Sequence, residues 1–435
     1  MSIRIGLDSG VEAPERAWLI ACGRRYWLAG AERIAEIAVA STTVPAASRL
    51  ARIRLPEWAA DIGIGPDAAL CVDVGSLVPG EAPPWERVDW WTAAFRHLLG
   101  ASERLHDASS GPVHSYALRL RGVDQASFDH AWVNRIFLFL RRSAERGGAR
   151  FDALPSAHFD LTHDVDAIRK TPELRLKQGA FQLVNALRLI ARAEPRAAGA
   201  RLLDGARFAW RSGAFDTWDE IRELEEAHRV RSVFHVYGGP AGGARHGRSR
   251  LIDPAYDANE LAATLRSLHA GGWTIGVHPS FDSWRDADAL RSQREAVERV
   301  VGSPVERCRQ HWLRFSWGET WAAQERAGLT LDSTLGFNDR PGFRNGAALR
   351  FEPWSFERRA PLGIDAIPLV LMDSHLYDYE LLTDEERRAT MSRWVDEVTA
   401  VGGEASLLWH QQTMHPDYGW GAGYRELLHL VGGRS

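Results

Sequence analysis

From Pro155 onward the chain repeats one rhythm, a short apolar run, a polar turn and then a stretch of helical periodicity, and this repetition restricts the folds open to it. His158–Val165 reads as a buried strand, Thr217–His228 as a helix opened by a Thr217/Glu220 capping box, and Ser232–Tyr237 as the next strand. Asp257–Ala270 then reads as helical and Trp273–His278 as extended, and Cys308–Leu313, Ala366–Met372 and Ser406–His410 read as further strands. Alternating β and α units imply a parallel sheet, and their number favours a complete or distorted (β/α) barrel over an open sheet. In a barrel, chemistry belongs at the C-terminal ends of the strands.

The chain before that rhythm is different. Apolar runs at Ala17–Cys22 and Ala69–Val74 mix with helical stretches around Trp90–Leu99 and Ala131–Arg142, which predicts a smaller α/β domain. The Gly-rich Arg146-Gly-Gly-Ala-Arg150 followed by Pro155 marks the break, so residues 1–150 and 151–435 are expected to form two domains. The first part carries no catalytic constellation.

At 45% apolar and 25% charged residues most of the chain should fold, and a net charge of −4 offers nucleic acid no global attraction. Cys22, Cys71 and Cys308 are widely spaced and odd in number, which fits neither a disulfide framework nor a cysteine metal site. Met1–Asp8 carries an early acid and no long apolar core, and no window reaches transmembrane length, so a cytoplasmic protein is expected.

Several runs end on groups that bind metals or move protons. Leu161-Thr-His-Asp-Val-Asp166 puts Asp164 and Asp166 two residues apart at a strand end, hence on one face, where two like charges call for a cation or a shared proton. A helix-capping turn, or the Asp-x-Asp of a nucleotide-sugar glycosyltransferase, would also use such a pair, although no Gly-rich phosphate loop precedes it. Trp273-Thr-Ile-Gly-Val-His278-Pro-Ser-Phe-Asp282 is an apolar strand ending on an imidazole, with Asp282 brought to the same side if the chain turns helically after Pro279. Arg309-Gln-His311-Trp312 offers a guanidinium, an imidazole and an aromatic platform, and Leu407-Leu-Trp-His410 ends another run on a histidine suited to general acid work. Each alone could be structural; together at successive strand ends they predict a site.

In this order the residues resemble the polysaccharide deacetylases of carbohydrate esterase family four. The subgroup most similar carries Leu-Thr-His-Asp-Val-Asp, His-Pro-Ser, Arg-Gln-His and Asp-Ser-Thr-Leu-Gly-Phe, the last at Asp332–Phe337. Val88–Phe95 and Trp132–Leu140 are similar to the accessory domain preceding the barrel in that subgroup. The resemblance implies a distorted (β/α) barrel in which Asp164 is the general base, Arg309 orients it and His410 is the general acid. It further implies a divalent ion, zinc by expectation, on Asp166, His278 and a third ligand. Asp282 holds the third ligand's sequence position and is the expected third ligand, with His311 as its competitor; His311, Trp312 and Asp373 are expected at the substrate. The chain departs from the common family form in having Asp164-Val-Asp166 for adjacent aspartates, Asp282 for a second histidine, and Arg309-Gln-His311-Trp312 for Arg-x-Pro-aromatic.

The expected reaction is hydrolysis of an N-acetyl, or alternatively O-acetyl, group on a carbohydrate, with a backbone N–H near Trp312 at the oxyanion and Trp284, Trp312, Trp317 and Trp420 as sugar platforms. A metal-dependent amidase acting on a small non-sugar amide and an inactive carbohydrate-binding relative are the alternatives. The arginine-rich stretch Arg169–Arg211, interleaved with Leu183, Val184, Leu187, Leu189 and Ile190, allows two readings: a peripheral contact with an anionic membrane, or a barrel-flanking hairpin with solvated arginines.

Overall fold

Strands β1 (Leu50–Arg54) and β2 (Ala69–Asp73) pair antiparallel, and helix Trp90–Leu98, opened by Asp89 accepting from the Thr92 amide at 3.0 Å, packs against β2. Ala17–Cys22 is the second half of helix Ala13–Cys22. Helix Trp132–Arg146 joins this region to the rest of the molecule. Its Arg135 forms a two-pronged ion pair with the buried Glu397 (2.9 and 2.8 Å). The preceding residue, Asn134, both donates to the Ala348 carbonyl (2.9 Å) and accepts from the Ala348 amide (2.8 Å). One apolar cluster runs through residues from both regions, including Trp27, Phe137, Leu407 and Trp409. The structure is a computed structural model describing residues 11–36, 49–111, 125–239, 247 and 249–433; the reading of residues 1–8 falls outside them.

The second region is built on parallel strands: β3 (His158–Val165), β4 (Val233–Val236), β5 (Thr274–Val277), β6 (Arg307–Cys308) and β7 (Leu331–Asp332). A small antiparallel pair, β8 (Trp354–Ser355) and β9 (Ala360–Pro361), lies outside this sheet, and β10 (Asp365–Ala366), β11 (Leu369–Met372) and β12 (Glu404–Leu408) complete it in the order β10-β7-β6-β5-β4-β3-β12-β11. The two ends of that order are neighbours in the chain. β10 pairs with β7 and β11 with β12, while the intervening Pro368 carbonyl accepts from the Ser406 amide (2.8 Å) and the Leu369 amide donates to the Leu335 carbonyl (2.8 Å). One bent segment therefore bridges the first and last strands, and the sheet curls on itself as a (β/α) barrel requires.

β3 shows how the sequence sets this geometry. With side chains alternating, Asp160, Thr162 and Asp164 share a face, where Asp160 binds Arg307 and Thr162 accepts from Arg309 at 2.6 Å. On the opposite face His163 bonds Glu225 at 2.9 Å under the helix Trp218–Ala227.

Two local expectations need correction. Thr217 makes no capping bond, because its hydroxyl is committed to the Gln411 carbonyl at 3.0 Å. Cys308–Leu313 is a strand only at Cys308; beyond Arg309 the chain enters a tight turn at His311–Leu313, with Trp312 (φ 56°) and Leu313 (φ 48°) in the left-handed region. Strand β7 has no counterpart in the sequence reading, being two residues long and carrying no periodicity.

Candidate metal centre

The strand ends of β3, β5, β6 and β12 converge. Asp164 closes β3 with a buried carboxylate, whose Oδ1 accepts from Arg309 Nη1 (3.2 Å) and lies 3.1 Å from His235 Nδ1. His235 stands beside Asp164 because β3 and β4 pair these two residues in register, and Gly276 on β5 leaves room for the ring: a Cβ there would fall 2.6 Å from His235 Cδ2. Arg309 is fully buried, with its remaining donors given to the Ser333 carbonyl (3.0 Å), Thr162 Oγ1 (2.6 Å) and Ser406 Oγ (2.7 Å). Burial works to raise the Asp164 pKa, but Arg309, then His278 and His235, hold it well below the usual carboxylate range. Burial pushes His235 down to about 4, so its ring is neutral.

Asp166, two residues on, joins His278 and His311, with one donor atom of each within 4.8 Å of the others. Asp166 Oδ1 is 3.3 Å from His278 Nε2 and 3.6 Å from His311 Nε2. His278 directs Nδ1 at the Arg309 carbonyl (2.7 Å) and His311 directs Nδ1 at Asp253 Oδ1 (3.2 Å). A ring that donates from Nδ1 keeps a lone pair on Nε2, so both imidazoles aim lone pairs at the carboxylate oxygen. Asp166 Oδ1 is itself buried without a hydrogen-bond donor. Lone pairs converging in this way need a shared cation or proton, and two imidazoles with one carboxylate are a donor set for a divalent ion. In its absence the proton competes: burial opposes charge on His278, yet Asp164 and Asp166 raise its pKa.

His410 follows β12, with Nε2 3.8 Å from Asp166 Oδ2. Its Nδ1 lies 2.7 Å from Asp373 Oδ1, and its backbone amide donates to Asp373 Oδ2 (2.9 Å), which also accepts from Thr413 Oγ1 (2.7 Å). Burial alone would lower the imidazole, but Asp373 and then Asp166 and Asp164 lift it to about 10, so it stands protonated at neutral pH.

Two expected positions are revised. Asp282 is not in the cluster: its carboxylate is largely exposed and paired with Arg314, because the chain after Pro279 directs it outward, and His311 takes its place. Asp373 is fully buried beneath His410 and cannot meet a substrate. Of the tryptophans, Trp312 and Trp420 line the cleft over the centre, whereas Trp284 and Trp317 are buried in packing against Arg314 and against Phe315 and Trp321. His235 and Asp253 carry no signal in the sequence, His235 because its role arises from strand register and Asp253 because it reaches His311 across 58 residues.

No family model matches the chain, and no curated protein matches it in sequence. Among solved structures it is similar to a Mycobacterium smegmatis protein provisionally described as a polysaccharide deacetylase, at 17% identity and TM-score 0.40, covering 65% of this chain and 86% of that one. It is also similar to a mutant of a carbohydrate esterase family four pseudoenzyme with restored enzymatic activity (10% identity, TM-score 0.30, 63% of each chain). A third is the carbohydrate esterase family four domain of a multidomain xylanase from the hindgut metagenome of Trinervitermes trinervoides (9% identity, TM-score 0.27, 63% of this chain and 81% of that one).

Proposed function

We propose that this chain is a metal-dependent hydrolase that removes acetyl groups, N-linked in the first instance, from a carbohydrate. The observation carrying the proposal is the Asp166–His278–His311 cluster, flanked on one side by an ionised buried carboxylate, Asp164, and on the other by a protonated imidazole, His410. A divalent ion on this cluster, zinc by its donor set, would supply Lewis acidity to an acyl oxygen and to water. Asp164 has Oδ1 occupied by Arg309 and His235, so it takes the proton of the attacking water on Oδ2. His410 keeps its Nδ1 proton on Asp373 and delivers the Nε2 proton to the departing nitrogen. Arg309 and His235 position the base, and Asp373 with Thr413 positions the acid. Trp312, on the wall of the cleft, supplies an apolar face on which a sugar ring stacks.

In this proposal residues 1–150 form an accessory region and 151–435 the catalytic barrel. A reducing, cytoplasmic setting suits the chain's three buried cysteines, which form no disulfide. The test is acetate release from N-acetylated saccharides by protein stripped of metal and then loaded with zinc. Zinc-dependent release supports the proposal. Release only from small non-sugar amides would make the enzyme an amidase, and absence of turnover with tight saccharide binding would make it a binding protein.

A further inference from the structure

Helix Pro172–Ala191 buries Ala186 and Leu189 but turns most of its large apolar side chains outward. Its buried positions include Gln178, Gln182 and Asn185, with Asn185 donating to the Asp378 carbonyl at 3.1 Å, while Leu176, Leu183, Val184, Leu187 and Ile190 stand exposed at helical spacing. An ordinary surface helix does the reverse. The following helix, Pro195–Trp210, packs against it, with Gly205 close over Gln182, and exposes its own stripe of Leu202, Leu203 and Trp210, the last 89% accessible. Two adjacent helices with outward apolar stripes exceed the scattered exposed leucines of a normal surface.

Charge points to the occupant. Residues 172–211 hold eight arginines and lysines against three acids, in a chain of net charge −4. Arg192 and Arg196 are exposed at the turn between the helices. Self-association through this face would set two like-charged patches against each other, as a two-fold interface repeats the same surface on both sides. An anionic lipid surface instead satisfies both components, with aliphatic and tryptophan side chains entering the headgroup boundary and guanidinium groups meeting phosphates. No helix among the described residues is long and apolar enough to cross a membrane, so such contact lies in the interface.

The inner side of the first helix forms a wall of the cleft through Leu174, Lys177, Gln178 and Phe181, and Leu251, 65% exposed, lies on the same rim. We infer that the hairpin 172–210 docks on an anionic phospholipid bilayer and brings the mouth of the cleft to the lipid surface, where it takes a lipid-anchored acetylated saccharide. Docking stands independently; the substrate rests on the proposed hydrolase reading.

The experiment is sedimentation of the full chain with vesicles of phosphatidylcholine alone or mixed with phosphatidylglycerol, at low and high salt. The native chain is expected on the anionic vesicles, with binding weakened by salt and reduced at least about tenfold in Leu183→Ser/Leu187→Ser/Trp210→Ser and in Arg192→Glu/Arg196→Glu. Unchanged circular dichroism and unchanged acetate release from a short soluble saccharide would show that these exposed substitutions leave the fold and centre intact. Failure of the native chain to bind anionic vesicles, or equal binding by the variants, overturns docking. A native dimer that the same substitutions convert to monomer, without vesicle binding, overturns it in favour of self-association. Vesicle binding without acetate release from soluble or lipid-anchored saccharide sinks the hydrolase reading and leaves docking standing.

Discussion

His410 and Asp373 are joined twice, once through the imidazole Nδ1 (2.7 Å from Oδ1) and once through the His410 backbone amide (2.9 Å to Oδ2). The pair fixes both the ring's position and its charge, with the imidazole pKa lifted to about 10. A general acid acts only when protonated, so turnover should fall on the alkaline side as His410 gives up its proton. Asp373→Asn removes the main charge that raises it, and the alkaline limb of kcat should move to lower pH by on the order of one to two units. A uniform loss of rate with an unmoved limb would show that Asp373 serves structure alone.

Asp164→Asn should retain the metal, since Asp164 lies outside the three-residue cluster, and lose about 10²- to 10⁴-fold in kcat, the usual scale for a missing general base. Metal content and turnover measured on the same preparation check this. Near-normal turnover would remove Asp164 from the mechanism.

His311→Ala and Asp282→Ala separate position in sequence from position in space. The first deletes a cluster member and should empty the centre or weaken it severely; the second removes a surface partner of Arg314 and should leave metal affinity unchanged. Equilibrium dialysis against a chelator of known affinity reads both. The reverse pattern would overturn the assignment of His311.

Acid should loosen the join between the helix Trp132–Arg146 and the barrel. Burial works to raise the Glu397 pKa, but His130 and Arg135 bring it from 4.5 down to about 2. A carboxylate depressed in the fold contributes stability that is full above its unfolded pKa and is lost as pH falls through the folded one. The window is therefore about pH 4.5 to 2, and the linkage amounts to on the order of 3 kcal/mol. Glu397→Gln should lower the thermal midpoint at neutral pH, where Arg135 is left buried without its partner, and flatten the acid limb of stability. An unchanged slope across that window would mean that other carboxylates govern acid unfolding.

Strands long enough to show a pattern are legible in the sequence: His158–Val165 coincides with β3, and Ser232–Tyr237 and Trp273–His278 each contain theirs. Cys308–Leu313 misleads because apolar composition cannot show that Arg309 is held by four acceptors within the barrel while the next residues turn away. The same limit explains Asp282, since sequence spacing leaves open which way a side chain points after Pro279. Asp164, Asp166, His278, His311 and His410 are legible because each stands at or just beyond a strand end. His235 and Asp253 acquire their partners only through strand pairing and a long-range approach, and neither leaves a local signature.

The way the ring closes bears on how the chain is made. β3 pairs on one side with β4 and on the other with β12, and His163 on β3 meets the Trp409 carbonyl across 246 residues. During synthesis one backbone edge of β3 stays open until the distant β12 has left the ribosome, and the Pro368 bend that bridges the two ends of the sheet arrives only shortly before β12. Such distant pairing slows folding and leaves an unprotected strand edge open to aggregation. A nascent chain stalled before Glu404 therefore lacks both the strand that seals this edge and His410, and its open edge makes it a target for chaperones.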